Sequence, residues 1–121
     1  MSRRVLVVED DSGIRRVIER GLRLAGHVPS FAEGIDSGRA AWTAGAVDVV
    51  LLDVMLPGGN GVELLEERRA AGARTPVVLL SAREETELRE RASVAGATDY
   101  LKKPFAYAEL LAVVERCTDR S

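Results

Sequence analysis

Cysteine and histidine are nearly missing from this sequence, with Cys117 and His27 the single residues of their kinds. A lone thiol with no histidine nearby rules out a disulfide framework and a zinc site, and Cys117 reads as a plain thiol late in a helix. Long apolar runs are missing as well: nothing approaches the roughly 18 consecutive apolar residues of a membrane span. Met1-Ser2-Arg3-Arg4 leads straight into a short apolar segment rather than a signal peptide, so a cytoplasmic domain without membrane contact is expected. Neither sign of charge dominates, since 17 Lys and Arg and 19 Asp and Glu are mixed along the chain for a net charge of −2. That is not the basic footprint of a nucleic-acid or anionic-membrane binder, and any DNA contact would need another domain. With no internal linker or low-complexity tract, 121 residues of which 46% are hydrophobic and 30% charged fit one domain, 1–121, with 117–121 as a candidate linker start.

What is present is a rhythm of short apolar runs followed by longer segments of helical spacing, which reads as α/β. Val5–Val8, Val49–Leu52 and Val77–Leu80 are nearly continuous β-branched or leucine runs, as expected of central strands buried on both faces. Val28–Phe31 and Thr98–Leu101 are shorter and more polar. The first contains Pro29, which cannot donate to a sheet ladder, so both are expected at sheet edges. Ile14, Val17, Ile18, Leu22 and Ala25 recur at three-and-four spacing, as do Ile35, Gly38 and Trp42, and again Leu110, Leu111 and Val114. Five strand-helix pairs with right-handed crossovers predict an open, mostly parallel sheet.

Ligands of such sheets bind outside the carboxyl ends of the strands, near the point where strand order reverses. The polar residues fall there: Glu9, Asp10 and Asp11 after the first strand, Asp53 ending the third, Ser81 after the fourth, Lys103 after the fifth. Carboxylates crowded into one crevice need a cation, and hard oxygen donors on a small open site suit magnesium. A lysine and a hydroxyl opposite would complete a site for a phosphoryl group. Each residue also has a bland reading. Asp11 or Ser12 reads as an N-cap, Asp10 as a turn residue, Asp53 as a loop-starting carboxylate, Ser81 as a cap and Lys103 as a solvated charge. His27 beside Gly26 reads as part of a turn and Trp42 as packing. Their coincidence on successive strand ends is what favours chemistry.

Four stretches carry a resemblance along essentially the whole chain. Val5-Leu6-Val7-Val8-Glu9-Asp10-Asp11, Leu51-Leu52-Asp53-Val54-Met55-Leu56-Pro57-Gly58-Gly59-Asn60-Gly61, Leu79-Leu80-Ser81-Ala82-Arg83 and Gly96-Ala97-Thr98-Asp99-Tyr100-Leu101-Lys102-Lys103-Pro104-Phe105 resemble the motifs of the response-regulator receiver family, closest to the OmpR/PhoB type. The resemblance implies a (βα)5 flavodoxin-like three-layer sandwich with a five-stranded parallel sheet of order 2-1-3-4-5. That order is itself a standard illustration of this fold and comes with the resemblance rather than from the residues.

Carried over residue by residue, the resemblance makes Asp53 the phosphoacceptor and a sensor histidine kinase the donor. It puts Mg2+ on Asp10, Asp53 and the backbone carbonyl of Met55, with Glu9 reaching it through water. Lys103, matched because it precedes Pro104 at a cis bond, would neutralise phosphoryl charge, while Lys102 would be solvated. Ser81 would bond the arriving phosphoryl group and draw in its loop, freeing Tyr100 to rotate. The switched surface would comprise the fourth helix, fifth strand and fifth helix and control an output, expected to be transcription. Symmetric pairing there would use Arg89 and Glu109, with Asp99 short of its basic partner because Val113 stands at that place. A weak homodimer on phosphorylation is the expectation.

Three alternatives compete. A haloacid-dehalogenase-like phosphatase would show a second aspartate where Met55 stands, so turnover enzymology is disfavoured. A dinucleotide or flavin module lacks its glycine-rich loop, because Glu9-Asp10-Asp11-Ser12-Gly13 joins the first strand and helix. A degenerate receiver acting as a phosphorylation-independent interaction module would have lost acidic pair, acceptor or lysine, and all are present. The sequence leaves open whether this is a stand-alone receiver or part of a longer transcription factor, as well as the kinase and stimulus.

Overall fold

The computed structural model describes residues 2–82 and 86–118; Arg83 of the fourth-strand motif and 119–121 of the candidate linker lie outside them. Along the chain run β1 (Arg4–Val8), α1 (Ser12–Leu24), β2 (Val28–Ala32), α2 (Ile35–Ala44) and β3 (Val49–Asp53). They continue as β4 (Met55–Leu56), β5 (Gly59–Asn60), α3 (Gly61–Ala70), β6 (Val77–Ser81), α4 (Thr86–Ala95), β7 (Asp99–Lys102) and α5 (Tyr107–Thr118). The main sheet has five strands, all parallel, in the order β2-β1-β3-β6-β7, which is 2-1-3-4-5 when only its own members are counted. The Pro29 strand and the strand beginning at Asp99 are its edges, as their composition predicts.

The continuous apolar runs are explained by the two sides of the sheet. Leu6, Val8, Val50, Leu52, Val77 and Leu79 face a core closed by α2, α3 and α4, whereas Val5, Val7, Val49, Leu51, Val78 and Leu80 face one closed by α1 and α5. Strand side chains alternate between faces, so a strand covered on both sides must be apolar at every position. Each such Val or Leu contributes about 1.5–3 kcal/mol by leaving water.

The structure departs from the sequence reading in three places. Val17 and Ala25, expected on the buried stripe of α1, are exposed, Val17 to 58%. Buried Gly21 narrows the stripe so that the ring of Tyr107 can close on it: a Cβ there would lie 2.4 Å from Tyr107, whose hydroxyl donates to the Gly21 carbonyl at 2.8 Å. A short antiparallel ribbon, β4 with β5, interrupts the link from β3 to α3, turning through Pro57 and Gly58, the latter at positive φ. Finally, α5 runs through Thr118 with Cys117 buried in the core, so the helix occupies the first two positions of the candidate linker.

Candidate functional site

Because β2 lies on one side of β1 and β3 on the other, the loops leaving β1 and β3 diverge and open a crevice at the switch of strand order. Glu9 and Asp10 enter it from β1 and Asp53 from β3; one carboxylate oxygen of each lies within 4.8 Å of the others. Glu9 and Asp53 are buried, Glu9 completely. Lys103 arrives from beyond β7 through a cis Lys103-Pro104 bond, its backbone N–H donating to the Ser81 carbonyl at 2.7 Å. Its ammonium donates to Glu9 Oε1 and, at 2.9 Å, to Asp53 Oδ2. Ser81, 2% exposed, ends β6 one residue beyond the Leu80 that pairs with Asp53, so its hydroxyl belongs to the same edge.

The aspartate is set by its own loop. Met55 N–H donates to Asp53 Oδ1 at 3.2 Å, bringing the Met55 backbone to the carboxylate while its side chain points outward, 66% exposed. Gly61 begins α3 so close beneath that a Cβ would lie 2.1 Å from the Asp53 carbonyl oxygen, and its N–H donates to Val54 O at 2.8 Å. Any side chain at 61 would push the end of the Asp53 strand out of place, which is the physical reason for glycine at that spacing.

Burial pushes the Glu9 carboxyl above its usual range, and neighbouring Asp53 pushes it the same way. Burial alone would lower the Lys103 ammonium, but its bonds to Glu9 and Asp53 outweigh that and hold it above its ordinary value. One lysine thus serves two buried carboxylates, with Asp10 exposed at the rim. The donor set is all hard oxygen, with no sulfur or imidazole among the clustered groups, and fits a magnesium ion better than a transition metal.

The bland readings hold for several residues. Asp11 is the N-cap of α1, accepting from Ile14 N–H at 3.0 Å. Trp42 is packed at 3% exposure, its indole donating to Thr75, and Lys102 is exposed. His27 is buried beside its turn and its Nδ1 accepts from the Arg3 N–H at 3.1 Å. On the face of α4, β7 and α5, the Arg89 guanidinium lies 4.9 Å over the half-buried ring of Tyr100. Glu109 accepts from Ala106 N–H at 2.9 Å, finishing the start of its own helix. Within its own chain Asp99 is paired with Arg116, nearly one turn beyond Val113, which donates to it with Nε at 3.2 Å. The sequence reading missed Arg116 because it tested the one position the resemblance supplied.

Fold and crevice define a class: parallel α/β proteins that gather an acidic pair, an aspartate, a hydroxyl and a lysine on successive strand ends. The chain belongs to the response-regulator receiver family, matching the model described as "Response regulator receiver domain" over residues 5–115. It is 42% identical over 117 residues to the phosphate regulon transcriptional regulatory protein PhoB of Klebsiella pneumoniae, covering 95% of this chain and 51% of that protein. The chain thus spans about half the length of the curated relatives it matches. The receiver domain of the Francisella response regulator 1452 superposes with a TM-score of 0.94 at 31% identity over 98% of both chains. The receiver domain of the sensor histidine kinase PA1611 from Pseudomonas aeruginosa PAO1, solved with a magnesium ion coordinated in its active site cleft, gives 0.89 at 31% identity, covering 99% of this chain and 100% of that one. No helix among the described residues is long and apolar enough to cross a membrane.

Proposed function

We propose that this receiver accepts a phosphoryl group on Asp53 from a phosphohistidine of a sensor histidine kinase. The observation carrying the proposal is the buried Asp53 carboxylate, hydrogen-bonded by Lys103 and gathered with Glu9 and Asp10 in one crevice. An Asp53 oxygen attacks phosphorus in line with the imidazole nitrogen; the new O–P bond forms as the N–P bond breaks, and its electron pair leaves with the imidazole. A magnesium ion on Asp10, Asp53 and the Met55 carbonyl, with Glu9 reaching it through water, would neutralise charge on the phosphoryl oxygens. Lys103 supplies the remaining positive charge, and the Ser81 hydroxyl donates to a phosphoryl oxygen. The chain is an acceptor that assists its own phosphorylation and dephosphorylation, not a turnover enzyme.

An apolar groove of about 630 Å³ opens beside Lys103, lined in part by Ile14, Val17, Pro104 and Phe105. This supports docking of the kinase next to the acceptor, and gives exposed Val17 a use that core packing does not. Output follows from Ser81 and Tyr100: when Ser81 is drawn inward, the Tyr100 ring shifts, and the stacked Arg89 shifts with it. The controlled process is transcription; this domain makes no direct nucleic-acid contact, so any DNA contact would need another domain, and it works in the cytoplasm. Phosphorylation also promotes a weak symmetric dimer on the face of Arg89, Asp99 and Glu109: Arg89 and Glu109 exchange their internal contacts for partner contacts, while Asp99, held by Arg116 of its own chain, lacks a basic partner across the interface. Sedimentation with a phosphoryl mimic should show a salt-sensitive dimer that Glu109→Arg weakens; a tight dimer without the mimic would place output elsewhere.

The intact mass after incubation with magnesium and a small-molecule phosphodonor tests the acceptor itself. One phosphoryl group is expected on the wild type with magnesium, and none on Asp53→Asn. Full labelling of that variant would refute Asp53 as the acceptor, whereas a wild type that takes no label with magnesium would favour the rival degenerate receiver.

A further inference from the structure

Arg15, in the first turns of α1, is turned back toward the crevice instead of out to solvent, with its side chain 20% exposed. One guanidinium nitrogen donates to the backbone carbonyls of both Glu9 and Asp10, at 2.9 and 3.1 Å. The other terminal nitrogen pairs with Glu33 at 3.4 Å, just past the end of β2. Two neighbouring carbonyls held by one nitrogen leave the peptide between them little freedom to turn, and that peptide sets the direction of both acidic side chains. The bond from Glu9 N–H to the Ala32 carbonyl at 3.0 Å anchors the same turn from the β2 side.

We infer that Arg15 is a positioning residue for the acidic pair: it clamps the turn after β1 so that the Glu9 and Asp10 carboxylates stay aimed at the cation. The inference rests on the reading of Glu9, Asp10 and Asp53 as a magnesium site. Field and geometry act in opposite directions here, which makes the role separable. A guanidinium near the site repels a divalent cation through space, so removing its charge alone tightens magnesium binding. Removing a clamp lets the carboxylates wander and weakens binding, typically by about 10 to 100-fold for partners that orient metal ligands.

Calorimetric titration of the purified chain with magnesium distinguishes the two. Arg15→Ala should bind magnesium roughly tenfold more weakly than wild type, and its phosphorylation rate should return close to the wild-type value at saturating magnesium. Arg15→Lys keeps the charge but offers a single nitrogen in place of the branched head that meets both carbonyls and Glu33, so its affinity should fall between the two. It also carries the test if the alanine variant does not fold. Equal or tighter binding in the folded alanine variant, or wild-type affinity in the lysine variant, overturns the clamp. Absence of magnesium binding in the wild type would instead overturn the cation site beneath it.

Discussion

The two ends of the central sheet are built from similar residues and used in opposite ways. At the amino-terminal end of the strands, each polar side chain completes a backbone donor: Asp48 accepts from Arg4 N–H at 2.7 Å, Thr98 from Val77 N–H at 3.0 Å, and His27 from Arg3 N–H at 3.1 Å. At the carboxyl end, Glu9, Asp10, Asp53 and Lys103 face one another across the crevice, two of the carboxylates buried and sharing one ammonium. Polar groups at the first end hold the fold, because each supplies an acceptor to a strand N–H, two of them partly out of water, and such a bond contributes about 0.5–1.5 kcal/mol. Those at the second oppose it, since like charges in a poorly solvated crevice repel until a cation joins them.

The contrast can be broken at either end, and the largest effect is expected at the carboxyl end. Asp10→Ala removes one of three crowded carboxylates, so the protein without magnesium should melt at the same temperature as wild type or higher. Magnesium should raise the wild-type melting temperature, with stabilisation of about 2.7 kcal/mol when the ion is at a hundred times its dissociation constant, and the variant should lose most of that rise. A magnesium titration identical in the two would remove Asp10 from the site.

A smaller, opposite response to pH is expected at the other end. Burial pushes the His27 imidazole below its ordinary value, with Arg3 acting the same way and Glu115 against it. A histidine whose folded pKa is depressed stabilises the fold above its unfolded value, about 6.5, and that stability is lost as pH falls through the folded value. Protonation would also put a hydrogen on the Nδ1 that accepts the Arg3 N–H. Between pH 7 and 5 the wild type should therefore lose more in melting temperature than His27→Gln. Parallel curves for the two proteins would show that His27 is silent.

Much of this contrast was legible in the sequence. Runs such as Val77–Leu80 announce strands covered on both faces because no polar residue interrupts them, and strand ends locate Glu9, Asp53, Ser81 and Lys103 on one edge. What stayed hidden depends on distances between side chains far apart in the chain. Periodicity puts Val17 on the stripe of α1 but cannot know that Tyr107 fills the space over Gly21. The Arg15 clamp and the Arg116 to Asp99 pair follow no motif, since each joins a helix to the end or edge of another element. The ribbon of β4 and β5 is too short to leave an alternating pattern, and only Pro57 and Gly58 hint at its turn.

The acceptor assignment is tested most directly by locating the label. Reducing the phosphorylated protein with borohydride converts an aspartyl phosphate to homoserine, and peptide mass spectrometry then reads the position. Homoserine at position 53, formed only when magnesium was present during phosphorylation, is the expected result; conversion at Glu9 or Asp10, or a stable label that resists reduction, would contradict the account.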